Sequence, residues 1–280
     1  MNHQKHLNIK SKKIHQTGNG SFILKLHSWV VMSFIYIPIL ILIVFSFNQE
    51  RINAVWTGFT IDWYIRVFSD TDLMHALYNS LIVGLSSTVI ATILGTMAAI
   101  GMNKYSFPGK TIFDAILFLP IVIPEIVMAV SMLIFYVFIK LTLGVFSIIV
   151  AHITFNVAFV FVIVRARLVG MEPHIEQAAA DLGASPWQTF RFITFPIITP
   201  GIISGALLAF TISWDDFMIA FFTAGVGGTT LPMKVYSMIK FGVSPEINAI
   251  STIMILFTMV LILLALRIEG IHKTAKTIGT

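Results

Sequence analysis

IEQAAADLGASPWQTFRFITFPIITP, Ile175 to Pro200, is the longest polar break between apolar runs in the second half of the chain. Its residues predict two short helices. Pro173 suits a first helical turn, Ala178 to Ala180 have high helix propensity, and Gly183 follows as a C-terminal cap. Ser185 stands as the N-cap of a second helix with Pro186 at its first position. Gln188, three residues after the cap, can return the hydrogen bond and complete a capping box. Pro196 and Pro200 are expected to end that helix.

Two readings fit such a segment on an otherwise lipid-dissolved chain. Composition alone favours an ordered loop. The other reading is a docking element for a soluble partner, because the short helices present Trp187, Phe190 and Phe192 on a segment with no core of its own. The spacing Gln177-Ala178-Ala179, Gly183, Ile193, Pro196 resembles the EAA loop of MetI-like permeases of binding-protein-dependent ABC importers. That resemblance implies a cytoplasmic coupling loop over 165–200, in which Glu176, Gln177, Ala178, Ala179, Gly183, Ile193 and Pro196 fit a cleft on an ATPase subunit. The first position of the triplet is usually Glu; here it is Gln177, preceded by Glu176.

Of 280 residues, 57% are hydrophobic and 11% charged, against about 25% charged in an ordinary globular domain. With a mean hydropathy of +0.90, the chain reads as an integral membrane protein. It contains no cysteine, which excludes disulfides, thiolate metal sites and a cysteine nucleophile. The net charge of +5 is not a nucleic-acid footprint, since the basic residues lie in loops flanking apolar runs.

Residues 1–28 carry Lys5, Lys10, Lys12, Lys13 and Lys25 without an acid and read as a disordered basic tail. Trp29 to Phe47 could be the apolar core of a signal peptide, but Asn48-Gln49-Glu50 offers no small-residue cleavage site, so it reads as an uncleaved first span. Five more apolar runs of spanning length lie at about 80–102, 112–136, 145–164, 197–214 and 249–266. The expected fold is all-α and polytopic, with six transmembrane helices in a permease domain over 29–266 and a tail over 267–280. With the N-terminus inside, cytoplasmic segments hold 13 Lys and Arg and external ones 5, so both termini are expected in the cytoplasm.

Other chemistries fail on their missing parts. Gly109-Lys110-Thr111 resembles the end of a phosphate loop, but the first glycine would fall at Lys104. His174 and Glu176 match part of a zinc deaminase pattern whose cysteine ligands are absent. No enzyme is expected. No internal repeat is visible by eye, so the inverted-repeat logic of secondary transporters has no support. His152 and Asn156, four residues apart, are expected to make interhelical hydrogen bonds.

A carboxylate in a spanning segment costs about 2.5–3.5 kcal/mol on insertion scales, so each needs a partner or a role. Glu125 follows Pro120 and Pro124 in the third apolar run, roughly 20 Å along a helix counted from Ile112. Asp215 and Asp216 lie roughly 27 Å along from Ile197. At comparable depth, with Trp214 beside the Asp pair, these acids suit an organic polycation through charge and cation–π contact. Equally open on physics alone, Glu125 pairs with a basic side chain of a neighbouring helix and the Asp pair caps a helix. Trp63, after Thr60-Ile61-Asp62, reads most simply as an interfacial belt residue.

Ser213-Trp214-Asp215-Asp216-Phe217, Leu231-Pro232-Met233-Lys234-Val235-Tyr236-Ser237-Met238 and Gly242 to Ala249 resemble the permeases of spermidine/putrescine importers, and the likeness runs from about Trp29 to Leu266. It implies a substrate path through Trp63, Glu125, Ser213, Asp215 and Asp216. It also implies a multi-pass place in a prokaryotic inner or plasma membrane and alternating access. The partners would be a homologous second permease, two copies of a cytoplasmic ATPase and an extracytoplasmic polyamine-binding protein. ATP and Mg would lie on the ATPase, with no cofactor in this chain. An importer for another solute, or a secondary transporter, are the alternatives.

Overall fold

In lipid a backbone must satisfy its own hydrogen bonds, and this chain does so with helices. The structure is a computed structural model, described for residues 18–50, 55–240, 242 and 244–278. Among these residues there is no strand, only one isolated bridge between Asn48 and Phe59. The helices are α1 (Gly18–Phe45), α2 (Asp62–Ser69), α3 (Thr71–Lys104), α4 (Lys110–Val122), α5 (Glu125–Phe138), α6 (Val145–Val169) and α7 (Pro173–Asp181). Then come α8 (Pro186–Thr189), a π-turn (Phe190–Thr194), α9 (Phe195–Asp215), α10 (Met218–Thr223), α11 (Leu231–Ile239) and α12 (Pro245–Ile278).

Five helical stretches are long and apolar enough to cross a membrane, and the pair α4 and α5 makes a sixth crossing if counted as one. That pair corrects the depth counted along one helix from Ile112, because the third apolar run is bent by 110° at its proline break. Pro124 has no N–H to continue the helix and forces the residue before it out of the helical region. Ile123 is accordingly extended, at φ −70° and ψ 132°.

The fifth span is corrected too. Pro196 and Pro200 do not end the helix that Ser185 starts, since helix runs without a break from Pro186 to Asp215. The π-turn stands just before Pro196, with the Phe195 N–H bonded to the Phe190 carbonyl five residues back. At the N-terminus, residues 1–17 of the expected basic tail lie outside the described residues, and α1 is already helical at Gly18. The last helix likewise runs on through the expected tail to Ile278.

α3, α6 and α9 pack against one another at the centre. Small residues make their close approach possible. Ala76, Ser80, Gly84, Ser87, Ala91, Gly95 and Ala99 form a buried stripe along α3, and a Cβ on Gly95 would meet Val160 Cβ at 2.8 Å and the Val157 carbonyl oxygen at 2.9 Å. Arg165 of α6 pairs with Asp114, which ties α4 to the centre. α1 packs against α12 with the rest of its apolar surface exposed, and α4 buries no residue at all.

Candidate functional site

At one end of the bundle, α7 and α8 fold as their sequence predicts. Ser185 Oγ accepts from the Gln188 N–H at 3.3 Å and Gln188 Oε1 accepts from the Ser185 N–H at 2.8 Å, which completes the capping box. Gly183 adopts φ +83°, the left-handed conformation that ends α7 and leaves other residues strained. On either side of it, Leu182 is 89%, Trp187 68% and Phe192 74% exposed. Phe190 lies between Trp187 and Phe195, its ring tilted against each.

The acid and the amide of the triplet region, Glu176 and Gln177, divide their roles by direction. Glu176 turns back into the protein: its Oε1 accepts from Thr194 Oγ1 at 2.5 Å and its Oε2 lies 3.8 Å from Lys104 Nζ. It thereby joins α7 to the end of α3 and to the π-turn. Gln177 and Ala178 are exposed, while Ala179 is buried. Gln177 touches only His174 of its own helix, at 3.3 Å. Ile193 is half-buried on the π-turn and Pro196 is exposed at the start of α9.

The intramembrane acids lie farther along. Asp216 is buried, and its Oδ2 lies 3.1 Å from His152 Nε2 on α6. Its carboxylate also accepts from the N–H groups of Ile219 at 3.3 Å and Ala220 at 2.8 Å, capping α10. Glu125 opens α5 at the bend of the broken span and is exposed, and α5 packs against α10, the helix that Asp216 caps.

Asp215 faces another way. It is exposed and lines a separate cavity of about 710 Å³ between α1, α11 and α12, whose walls include Tyr36, Tyr236 and Thr258. Trp214, expected to offer a ring face to a cation, is buried, with Phe210 and Phe257 against its ring at 6.2 and 4.7 Å. Trp63 is buried in the same cluster and donates from Nε1 to the Asn48 carbonyl at 2.8 Å, so it is an interior side chain and not a belt residue. Ser213 is buried as well, accepting from Asn156 Nδ2 at 2.7 Å and lying 3.2 Å from Ser87 Oγ.

Among the described residues no Lys or Arg forms an ion pair with Glu125, Asp215 or Asp216. The basic partner that could have explained Glu125 is therefore not there, whereas the capping role open to the Asp pair is filled by Asp216 alone. Sequence reasoning missed the link between His152 and Asp216. The i, i+4 spacing of His152 and Asn156 marked a polar face of α6, but nothing local said which side chains would meet it.

The model of the family described as binding-protein-dependent transport system inner membrane component matches residues 91–274. The chain belongs to this family. It is an inner-membrane permease component of such a transport system, and the helical bundle and the exposed α7–α8 block are this family's fold in the present chain. The spermidine/putrescine transport system permease protein PotC of Haemophilus influenzae is 40% identical over 237 residues, covering 85% of this chain and 92% of that protein. The putrescine transport system permease protein PotI of Escherichia coli is 40% identical over 230 residues, covering 80% and 82%. A chain of a bacterial ABC transporter involved in import of the acidic polysaccharide alginate shares the fold at a TM-score of 0.69 and 18% identity, over 90% of this chain and 94% of that one. A chain of the MetNI methionine transporter does so at 0.56 and 19%, over 70% and 93%.

Proposed function

We propose that this permease carries polyamines such as spermidine and putrescine inward, driven by ATP hydrolysis on a separate subunit. The observation that carries the reading is a set of carboxylates in the bundle without a Lys or Arg partner among the described residues. An organic polycation supplies the missing charge, and a neutral or anionic solute does not. The names of the 40% identical relatives point to the same solutes.

In this reading Glu125 and Asp215, both exposed, contact the ammonium groups directly. Asp216, Ser213 and Trp63 are buried and hold the wall behind them. The two exposed acids lie in different surroundings, so they act at successive points of the path. The bare apolar surface of α4 and α5 suits a homologous second permease, with the path between the two chains.

The α7–α8 block faces the cytoplasm and docks on the ATPase through Leu182, Trp187 and Phe192. Closure of the ATPase pair moves that block. Because Pro186 to Asp215 is one helix of 30 residues, about 45 Å long, displacement at its base is delivered to the level of the carboxylates. An extracytoplasmic binding protein delivers the substrate, and ATP and Mg belong to the ATPase.

Uptake of labelled spermidine into vesicles holding the assembled complex, with and without ATP, tests the reading. ATP-dependent accumulation is expected. Accumulation without ATP or any ATPase subunit would mean a secondary transporter, and absence of spermidine uptake would mean another solute.

A further inference from the structure

Trp63 is an interior side chain, but the helix that carries it is not an interior helix. At about 100° per residue, Asp62, Arg66 and Ser69 share one side of α2, Trp63 and Val67 a second, and Ile65 and Phe68 a third, with Ile61 just before the helix in line with them. Each side has its own surroundings. The three polar residues are exposed, whereas Trp63 and Val67 are buried in one cluster with Leu73, Phe210 and Trp214. The third side is apolar and bare, with Ile65 58% and Phe68 61% exposed and Ile61 exposed beside them. A helix between a bundle and water needs only two faces, so the third calls for another environment.

The place of α2 in the chain says which environment that is. It lies between α1 and α3, both long and apolar enough to cross a membrane, at the end of α3 opposite Lys104 and the α7–α8 block. Phe45 at the end of α1 meets the Trp56 ring at 6.4 Å, and Phe47 stacks on Phe59 at 5.2 Å. Trp56 and Phe59 are themselves exposed, so the apolar surface of α1 carries on through them toward Ile61. The link is also fixed in shape. Asn48 Oδ1 accepts from the Thr57 N–H at 2.9 Å, its Nδ2 donates to the Val55 carbonyl at 3.0 Å, and its own carbonyl holds Trp63 Nε1.

We propose that α2 lies flat at the membrane boundary on the side away from the α7–α8 block, with Ile61, Ile65 and Phe68 set among lipid acyl chains. Asp62, Arg66 and Ser69 then face water, and Trp63 and Val67 face the bundle. Lipid is the occupant that fits, because the bare side continues from a spanning helix and a polar side flanks it, which is the division of an interfacial helix. The bilayer thereby braces the helix that seats Trp63 in the Trp214 cluster. Nothing in this depends on which solute is carried.

The chain has no cysteine, so a spin label can be attached at one introduced residue at a time. Ile65→Cys and Phe68→Cys mark the apolar side, and Asp62→Cys and Ser69→Cys the polar side. Each labelled full-length chain is assembled with its partner subunits in vesicles of phosphatidylethanolamine and phosphatidylglycerol. Relaxation of the label by oxygen, which concentrates in the bilayer, is compared with relaxation by a water-soluble nickel chelate. The ratio of oxygen to nickel accessibility is expected to be severalfold higher at the Ile65 and Phe68 positions than at the Asp62 and Ser69 positions. Equal ratios at all four, or the reverse order, would overturn the proposal. Labels on the apolar side that neither reagent reaches would overturn it too, since a protein such as the second permease would then cover that side. If one of the two apolar-side variants fails to assemble, the other decides.

Discussion

Asp215 and Asp216 are adjacent in the chain but serve different neighbours. Asp216 is turned toward His152 at 3.1 Å and caps α10, while Asp215 is exposed in the cavity beside Tyr236. One residue is a fixed part of the wall, and the other is an accessible charge.

The two single amide variants should therefore part company. Asp216→Asn is expected to destabilise the folded chain by about 1–3 kcal/mol, through loss of a charged acceptor that serves three donors. Asp215→Asn should leave the unfolding temperature unchanged and still lower spermidine uptake. Thermal unfolding of the purified protein beside vesicle uptake makes the comparison; equal destabilisation of both would contradict their different surroundings.

Glu176 and Gln177 should also differ, in the opposite sense to the family's usual triplet. Glu176→Ala cuts α7 loose from Lys104 and Thr194, so ATP hydrolysis should continue with less spermidine moved per ATP. Thr194→Val, which removes only the hydroxyl at 2.5 Å, should do the same to a smaller degree. Gln177→Glu should leave transport intact, because that side chain is exposed and touches only His174. The ratio of spermidine imported to phosphate released is the measurement.

Gly183→Asp should uncouple transport from hydrolysis. At φ +83° a residue with a Cβ costs about 1–2 kcal/mol, yet a Cβ built there meets nothing within 4 Å beyond its chain neighbours. The damage is thus to the turn and to the surface offered to the ATPase. Wild-type transport in this variant would argue against docking at the α7–α8 block.

Two glycines of α3 should respond in opposite directions. Gly95→Ala places a Cβ at 2.8 Å from Val160 and should destabilise by about 1–3 kcal/mol as α3 and α6 are forced apart. Gly101→Ala meets nothing within 4 Å and should stabilise by about 0.5–1 kcal/mol through helix propensity. Unfolding temperatures of the two variants check both signs.

Much of the coupling block was legible in the residues. Ser185, Pro186 and Gln188 act on backbone groups within one turn, so the capping box could be read from spacing and was found in place. Gly183 was readable for the same reason. Pro196 misled because its missing N–H was weighed against an ideal α-helix, whereas the chain inserts a π-turn and continues. Pro124 announced an interruption, but not its angle.

By itself, then, the sequence determined what depends on short range and on the solvent: helices throughout, the apolar runs that cross the membrane, the capped α7–α8 block and the presence of acids where lipid would exclude them. Tertiary structure alone decided which of these acids is buried and which stay exposed. The 110° bend sets Glu125 at the break between α4 and α5, α6 brings His152 to the Asp216 carboxylate, and one buried cluster takes in both Trp214 and Trp63. His152 lies 64 residues from Asp216 in the chain, so no local pattern announces that contact.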